Sequence, residues 1–395
     1  MILLLVLVLS EFPVFLALRQ HYKGFSKTRY YLSNIINVIL SIYLWILYIE
    51  VSSFKGPYDD PSHVWLLMNL NGAIAAILFP RVIFIILHFT GKALRYRRNT
   101  HIRFLSDIGL IFWILMLAAV IGGSVTSRFH YRLEKVTVRV PNLNPDLDGI
   151  TIAQLSDMHM ITFHRQRAAL EKVMTDINKL NPDIIINSGD FVEYGYREYQ
   201  GFDTILAKAT SKYGKFAVLG NHDIGTYYPG YSAADIDTNI NRISGLIRSS
   251  GYTLLKDENC VVKIGGARLG IAGTITRGRY PHIQYGDFPK TISGLDSLDF
   301  RILIDHDPNH WEKAVAGKTK IELTLSGHTH GMQIGIITKK FRWSPSKYFY
   351  PHWNGLYESN GQFHYVNRGL GVIHFPFRIF MPPEVTFIRL ERVAE

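Results

Sequence analysis

Aspartates, histidines and one asparagine recur in short groups along the second half of this 395-residue chain. Asp157 and His159 stand in L-S-D-M-H, Asp190 in S-G-D, Asn221 in G-N-H-D, His306 in D-H-D-P, and His328 and His330 in G-H-T-H. Carboxylate, imidazole and amide oxygen suit borderline and hard divalent cations such as Mn, Fe and Zn. Two such cations about 3.5–4 Å apart neutralise charge on phosphoryl oxygens and make water acidic enough to attack near neutral pH. The ordered set therefore predicts a dinuclear centre for phosphate-ester hydrolysis, its two ions held together by a shared carboxylate.

Short apolar runs end at these residues. Ile150–Leu155 leads into Asp157, Ile184–Ile186 into Asp190, Phe216–Leu219 into Asn221, Ile302–Ile304 into His306 and Leu323–Leu325 into His328. Such runs, bounded by Gly or Asp, read as buried strands. Residues 164–180 and 233–250 carry apolar side chains at helical spacing. Strands alternating with helices predict an α/β domain with ligands gathered at strand ends. Further strands are expected in 252–275 and 363–390. In Asp157-Met158-His159 the alternation of an extended chain turns residues i and i+2 to one side, and His328-Thr329-His330 repeats the pattern.

The blocks D-x-H, G-D, G-N-H-D, H and G-H-x-H, in this order across 157–330, resemble the calcineurin-like metallophosphoesterase superfamily. Gly331-Met332-Gln333, Val366–Gly371 and Pro383-Glu384 extend the likeness to its membrane-associated branch, typified by bacterial YkuE- and YaeI-like proteins. The resemblance implies a four-layer α/β/β/α sandwich. It implies that Asp157, His159 and His330 hold one metal, that Asn221, His306 and His328 hold the other, and that Asp190 bridges them. His222 is then the general acid or charge stabiliser at the leaving group, with Asp223 orienting it. Glu193 stands where relatives often carry Asp, and Met332 where glycine is common. The segment Gly273–Arg277 lacks an acidic residue that many relatives have there.

Arg277, Arg279 and Arg368 are candidates for gripping a substrate phosphate. Residues 339–353 interleave Lys339, Lys340, Arg342 and Lys347 with Phe341, Trp343, Tyr348, Phe349, Tyr350 and Trp353. That mixture fits either an interfacial loop among lipid headgroups or a hairpin covering the active site.

The first third is of another kind. Four apolar stretches, near 2–18, 30–49, 64–89 and 104–126, are long enough to cross a bilayer. The first carries Glu11 and Pro13, and the third carries Pro80 and Arg81 near its middle, where helix packing is the expected use of the charge. Asn34, Asn37, Asn69 and Asn71 are candidates for interhelical hydrogen bonds. The loops near 19–29 and 91–103 are basic and the loop near 50–63 is acidic. The positive-inside rule then places the C-terminal domain outside the cytoplasm. Most of the net charge of +11 belongs to this region: residues 1–135 hold 14 Lys/Arg against 6 Asp/Glu, and the remainder 29 against 26. The near-neutral remainder argues against a nucleic-acid partner. Cys260 is the only cysteine, so no intrachain disulfide forms.

The expected organisation is a transmembrane helical domain over 1–126, a linker and leading strand over 127–148, and a catalytic domain over 149–395. The expected protein is a multi-pass enzyme of the cytoplasmic membrane. It uses two divalent ions, and manganese is one candidate. Its expected substrate is a phosphorylated lipid or cell-envelope intermediate, as phosphodiester, monoester or pyrophosphate. The alternatives are a cytoplasm-facing pyrophosphatase of nucleotide-activated lipids and a non-catalytic metal-binding sensor or scaffold.

Overall fold

The computed structural model describes residues 2–23, 27–98, 103–277, 285–338 and 340–393. The chain divides into two compact units. The first comprises Met1–Gly56, Trp65–Val125 and His374–Phe377; the second comprises Pro57–Val64, Thr126–Ile373 and Arg378–Glu395.

The first unit is helical: α1 (Ile2–His21), α2 (Lys27–Ser53), α3 (Pro61–Ala73), α4 (Phe79–Arg98) and α5 (Phe104–Val125). A π-helical turn at Ile74–Leu78 joins α3 to α4 just before Pro80, which cannot continue an ordinary hydrogen-bond ladder. Four spans, Ile2–His21, Lys27–Ser53, Pro61–Leu94 and Phe104–Phe129, are apolar and long enough to cross a membrane. The Arg81 side chain is wholly buried and pairs with Glu11 Oε1 at 3.0 Å. It also donates to Ser41 Oγ at 2.6 Å. This ion pair ties α1 to α4 through a charge that hydrocarbon would not solvate. The asparagines do less than the sequence suggests. Asn34 and Asn69 each donate to a carbonyl of their own helix, four residues back, where that acceptor is nearest. Asn71 alone of the four makes a longer connection, to the His374 carbonyl at 3.0 Å.

The second unit holds two six-stranded sheets. One runs β1 (Arg132–Pro141), β14 (Glu384–Val393), β2 (Thr151–Leu155), β3 (Ile184–Asn187), β4 (Lys215–Ala217), β5 (Thr253–Leu254). The other runs β12 (Gly355–Ser359), β13 (Gln362–Val366), β9 (Leu323–Ser326), β8 (Phe300–Ile304), β7 (Ala267–Gly273), β6 (Glu258–Ile264). A two-stranded hairpin pairs β10 (Ile336–Ile337) with β11 (Arg342–Trp343). The strands that carry site motifs are parallel: β2, β3 and β4 in the first sheet, β8 and β9 in the second. Their C-terminal ends therefore point the same way within each sheet.

The layering follows from burial on both faces. Ile152, Ile184, Ile186 and Phe216 meet Leu269, Ile271, Ile302 and Leu323 in a core between the sheets. On its other face the first sheet packs Ala153, Leu155 and Ile185 against α6 (Arg167–Leu180) and α8 (Ala233–Ser249), with the short α7 (Asp203–Leu206) beside them. On the second sheet, Ala272 and Leu303 pack under Trp311, Val315 and Phe288 of α9 (Phe288–Ile292). The result is the expected α/β/β/α sandwich. Strands buried on both faces, such as β3 and β8, sit in its interior.

Candidate metal centre

Asp157 and His159 follow β2, Asp190 follows β3, and Asn221 and His222 follow β4; His306 follows β8, and His328 and His330 follow β9. Two sheets thus deliver seven candidate ligands from five strand ends. All are buried except His328, which is nearly so.

Three groups of side chains converge: His159 with Glu193 and His222, and two made up of the candidate ligands. Asp157, His159 and His330 form the first of these two, and Asp190, His306 and His328 the second. In the first, His330 Nε2 lies 3.2 Å from Asp157 Oδ1 and 3.1 Å from His159 Nε2. In the second, His306 Nε2 lies 3.0 Å from Asp190 Oδ2. The same Asp190 oxygen is 3.9 Å from His159 Nε2, so one carboxylate faces both groups. Its other oxygen accepts the His222 N–H at 2.9 Å. Asn221 joins the second group through a 2.8 Å contact from its Oδ1 to His328 Nδ1.

The donor atoms call for cations. His306 Nδ1 faces the Ser188 carbonyl at 2.7 Å, and a carbonyl only accepts, so Nδ1 carries the hydrogen. In the neutral ring, Nε2 then turns a lone pair toward the Asp190 carboxylate. His159 Nε2 and His330 Nε2 also lie 3.1 Å apart, with Asp157 Oδ1 3.2 Å from the same His330 nitrogen. A lone pair facing a carboxylate is repelled unless positive charge lies between them. In the metal-free protein protons meet that need. Burial works against charge on His306 and His159, yet the Asp190 carboxylate raises the first to about 10 and the Glu193 carboxylate raises the second to about 9. Burial also drives His330 down, to about 4, despite Asp157. A set of buried imidazoles and carboxylates that retains protons this strongly fits divalent cations in their place.

Strand alternation does not extend to the candidate ligands, although Asp157 and His159 still fall in one group. Asp157, His159, Asp190, His328 and His330 all have positive φ, from +37° to +73°. The chain has left its strands by then and curls through left-handed turns, each costing on the order of 1–3 kcal/mol for a residue with Cβ. His328 and His330 consequently go to different groups. The glycines make this possible. Gly189 has φ +101°, and a side chain on Gly327 would collide with Ser156 and Asp157.

His222 and Asp223 also divide their tasks differently from expectation. His222 Nδ1 donates to the Glu193 carbonyl at 2.7 Å, and the ring stacks on Tyr227 with centroids 4.4 Å apart. Burial lowers its pKa, which favours the neutral ring. Asp223 instead collects main-chain N–H groups: Gly220 at 2.9 Å, Asp190 at 2.9 Å, Phe191 at 2.8 Å and Val192 at 3.2 Å. A carboxylate surrounded by four amides sets the loops, so the orienting of the His222 ring falls to Glu193.

Of the three arginines proposed for substrate, Arg368 is excluded. Its buried guanidinium is held by Glu134 at 2.8 Å, Glu384 at 3.1 Å and Asn354 at 2.7 Å. Arg277 donates to the Gly286 carbonyl. Arg279 lies outside the described residues.

The contacts of three further residues emerge only in three dimensions. Glu193 Oε2 lies 3.1 Å from His159 Nδ1, where it can set the ring's tautomer. The Tyr350 hydroxyl is 3.0 Å from His328 Nε2, so the basic-aromatic segment reaches the site while Phe341, Tyr348 and Phe349 stay exposed. Arg378 is wholly buried, donates to the carbonyls of Gly371 at 2.6 Å and Arg368 at 2.9 Å, and lies 3.3 Å from His330 Nδ1. No local pattern marks Arg378, because its partners are main-chain carbonyls.

Comparison with known proteins points to the same class of domain. The family description "Calcineurin-like phosphoesterase" matches residues 150–332. The metallophosphoesterase YkuE of Bacillus subtilis (strain 168) is 29% identical over 260 residues, covering 65% of this chain and 84% of the relative. A transmembrane protein with metallophosphoesterase domain from Danio rerio is 27% identical over 349 residues, 85% of this chain and 75% of the relative. UDP-2,3-diacylglucosamine pyrophosphatase LpxG of Chlamydia trachomatis is 25% identical over 308 residues, 65% of this chain and 88% of the relative. The second unit is therefore a phosphoesterase domain of the α/β/β/α kind. Residues 150–332 are a calcineurin-like phosphoesterase domain, and the chain is a metal-dependent phosphoesterase hydrolase.

Proposed function

We propose that this enzyme hydrolyses a phosphate ester or pyrophosphate of a lipid or cell-envelope intermediate, with its catalytic unit on the extracytoplasmic face of the membrane. The observation that carries the chemistry is Asp190 Oδ2, 3.0 Å from His306 and 3.9 Å from His159. In this reading Asp157, His159 and His330 hold one divalent ion, Asn221, His306 and His328 hold a second, and Asp190 serves both. Bound there, the ions offset charge on the phosphoryl oxygens and acidify water. The chain's own residues do the rest. With Nδ1–H committed to the Glu193 carbonyl, His222 donates to the departing oxygen from Nε2 only as the imidazolium, a form that burial opposes and the Asp190 and Glu193 carboxylates favour. Asp223 keeps Asp190 and His222 in register through the amides it collects.

Support for a lipid substrate is proximity. Four apolar spans keep the site near headgroups and raise local concentration. Support for the side comes from the course of the chain. Pro57–Val64, within the acidic loop, is part of the catalytic unit, whereas the loops expected in the cytoplasm are basic. The test is a panel of lipid and soluble phosphoesters assayed on the full-length protein in nanodiscs with Mn. An equal kcat/KM for both kinds removes the lipid assignment. Activity on bis-p-nitrophenyl phosphate that survives Asp190→Asn unaltered removes the metal assignment.

A second reading, a cytoplasm-facing pyrophosphatase of nucleotide-activated lipids, is favoured by the name of the Chlamydia relative. A C-terminal reporter that is active on only one side of the membrane separates the two.

A further inference from the structure

The loop joining α2 to α3 is a connection between two apolar helices, yet Pro57–Val64 belongs to the catalytic unit. Its attachment is specific. Asp59 has no exposed surface and accepts from Arg197 Nη1 at 2.8 Å and from the Arg197 N–H at 3.2 Å. Its Cβ would be 2.9 Å from a Cβ at Gly195, so that position has no room for a side chain. The Tyr58 N–H donates to the Tyr228 hydroxyl at 2.7 Å. The Tyr58 ring packs edge-on against Tyr194, with centroids 4.8 Å apart.

Both contacted segments lead to His222. Tyr194, Gly195 and Arg197 lie in a turn that Glu198 closes by accepting the N–H groups of Glu193 at 2.9 Å, Tyr194 at 2.7 Å and Gly195 at 3.1 Å. Glu193, at the head of that turn, holds His222 Nδ1 through its carbonyl and His159 Nδ1 through its carboxylate. Tyr228 follows Tyr227, whose ring stacks on His222. The hydrogen-bonding side of His222 and its stacking side are thus each one short step from the interhelical loop.

We infer that Tyr58 and Asp59 are positioning residues for His222: the loop between the second and third spans clamps the two segments that fix the imidazole, so proton delivery to the leaving group depends on the membrane unit's own connection. The inference rests on the acid role proposed for His222. Proton delivery matters most when the leaving group is a poor one. An alkyl phosphoester needs it, and a p-nitrophenyl ester departs with little help. A loop that only stabilises the fold would lower both rates together.

The experiment compares kcat/KM for an alkyl and a p-nitrophenyl phosphoester on full-length protein in nanodiscs, loaded with Mn and assayed for metal content. His222→Ala is expected to lower the alkyl-to-p-nitrophenyl ratio by about 10²-fold. Asp59→Ala is expected to lower the same ratio about tenfold, since small misplacements of a reacting group carry costs of this kind. Asp59→Asn, which keeps an acceptor for the Arg197 N–H, restores most of it. Should Asp59→Ala fail to fold, Tyr228→Phe removes only the acceptor of the Tyr58 N–H and is expected to move the ratio in the same direction. An unchanged ratio in Asp59→Ala, or in Tyr228→Phe where that variant replaces it, together with a fallen ratio in His222→Ala, overturns the inference. An unchanged ratio in His222→Ala overturns the acid role beneath it.

Discussion

Arg81 in the helical unit and Asp190 in the catalytic unit are both buried charges, and their surroundings differ in kind. Arg81 meets one carboxylate at 3.0 Å and one hydroxyl at 2.6 Å. Its charge is met within the protein by that carboxylate, although its buried Nε has no hydrogen-bond partner among the described residues. Asp190 and Asp157 are surrounded by imidazoles whose other nitrogens are already engaged, as His306 is by Ser188 and His159 by Glu193. Main-chain amides of His222 and His328 offset part of their charge, and added protons or cations meet the rest. A closed ion pair stabilises an architecture; a buried group that must borrow its counter-charge makes a binding site. Arg368, closed by Glu134 and Glu384, falls on the structural side of this line.

The largest effect expected from this contrast is on the catalytic side. Asp190→Asn removes the shared carboxylate, and kcat/KM with Mn should fall by at least about 10²-fold, since even supporting residues of metal sites cost 10–100-fold. Steady-state rates and bound metal by elemental analysis check it. Glu193→Gln acts through His159 and should weaken metal binding by about 10–100-fold, with a smaller loss of rate at saturating metal.

On the closed side, Glu11→Ala leaves Arg81 buried without its carboxylate. It should cost about 3–5 kcal/mol in the stability of the helical unit, measured by thermal unfolding in detergent. If the contrast holds, metal affinity stays put in that variant.

Protons supply a finer test. His159 and His306 in the metal-free protein hold theirs up to about pH 9 and 10, above the ordinary imidazole range. Raised values mean that cations must displace protons throughout the neutral range, so apparent metal affinity should rise steadily between about pH 6 and pH 9. Calorimetry in buffers of different ionisation enthalpy would show proton release on loading. Affinity flat across that range would mean the rings are already neutral. The smallest effect belongs to the exposed Arg139–Glu391 pair: Arg139→Ala should change stability by no more than about 1 kcal/mol.

Much of the candidate site can be read along the chain because each candidate ligand follows a buried strand. A short apolar run predicts the strand, and a Gly or Asp at its end predicts the turn, which places the five motif blocks. What misled was the extrapolation of strand alternation into those turns. His328 and His330 part company because positive φ rotates each side chain independently. Arg368 looked like a phosphate ligand because an arginine beside a Gly-rich turn gives no sign of its partners, and Glu134 lies 234 residues away.

While the four layers were implied by the family resemblance, residue type and order were enough to specify a phosphoesterase-like metal site, an α/β domain around it and four membrane-length helices. These depend on local chemistry: hydropathy over a few turns or strands, and donor atoms that suit divalent ions. Folding alone decided that Glu193 faces His159, that Arg378 supports the turn beneath His330, and that an interhelical loop is built into the catalytic unit. Those outcomes depend on contacts between segments tens to hundreds of residues apart. Burial and hydrogen-bond satisfaction select such contacts over the whole molecule, and no stretch of chain records them.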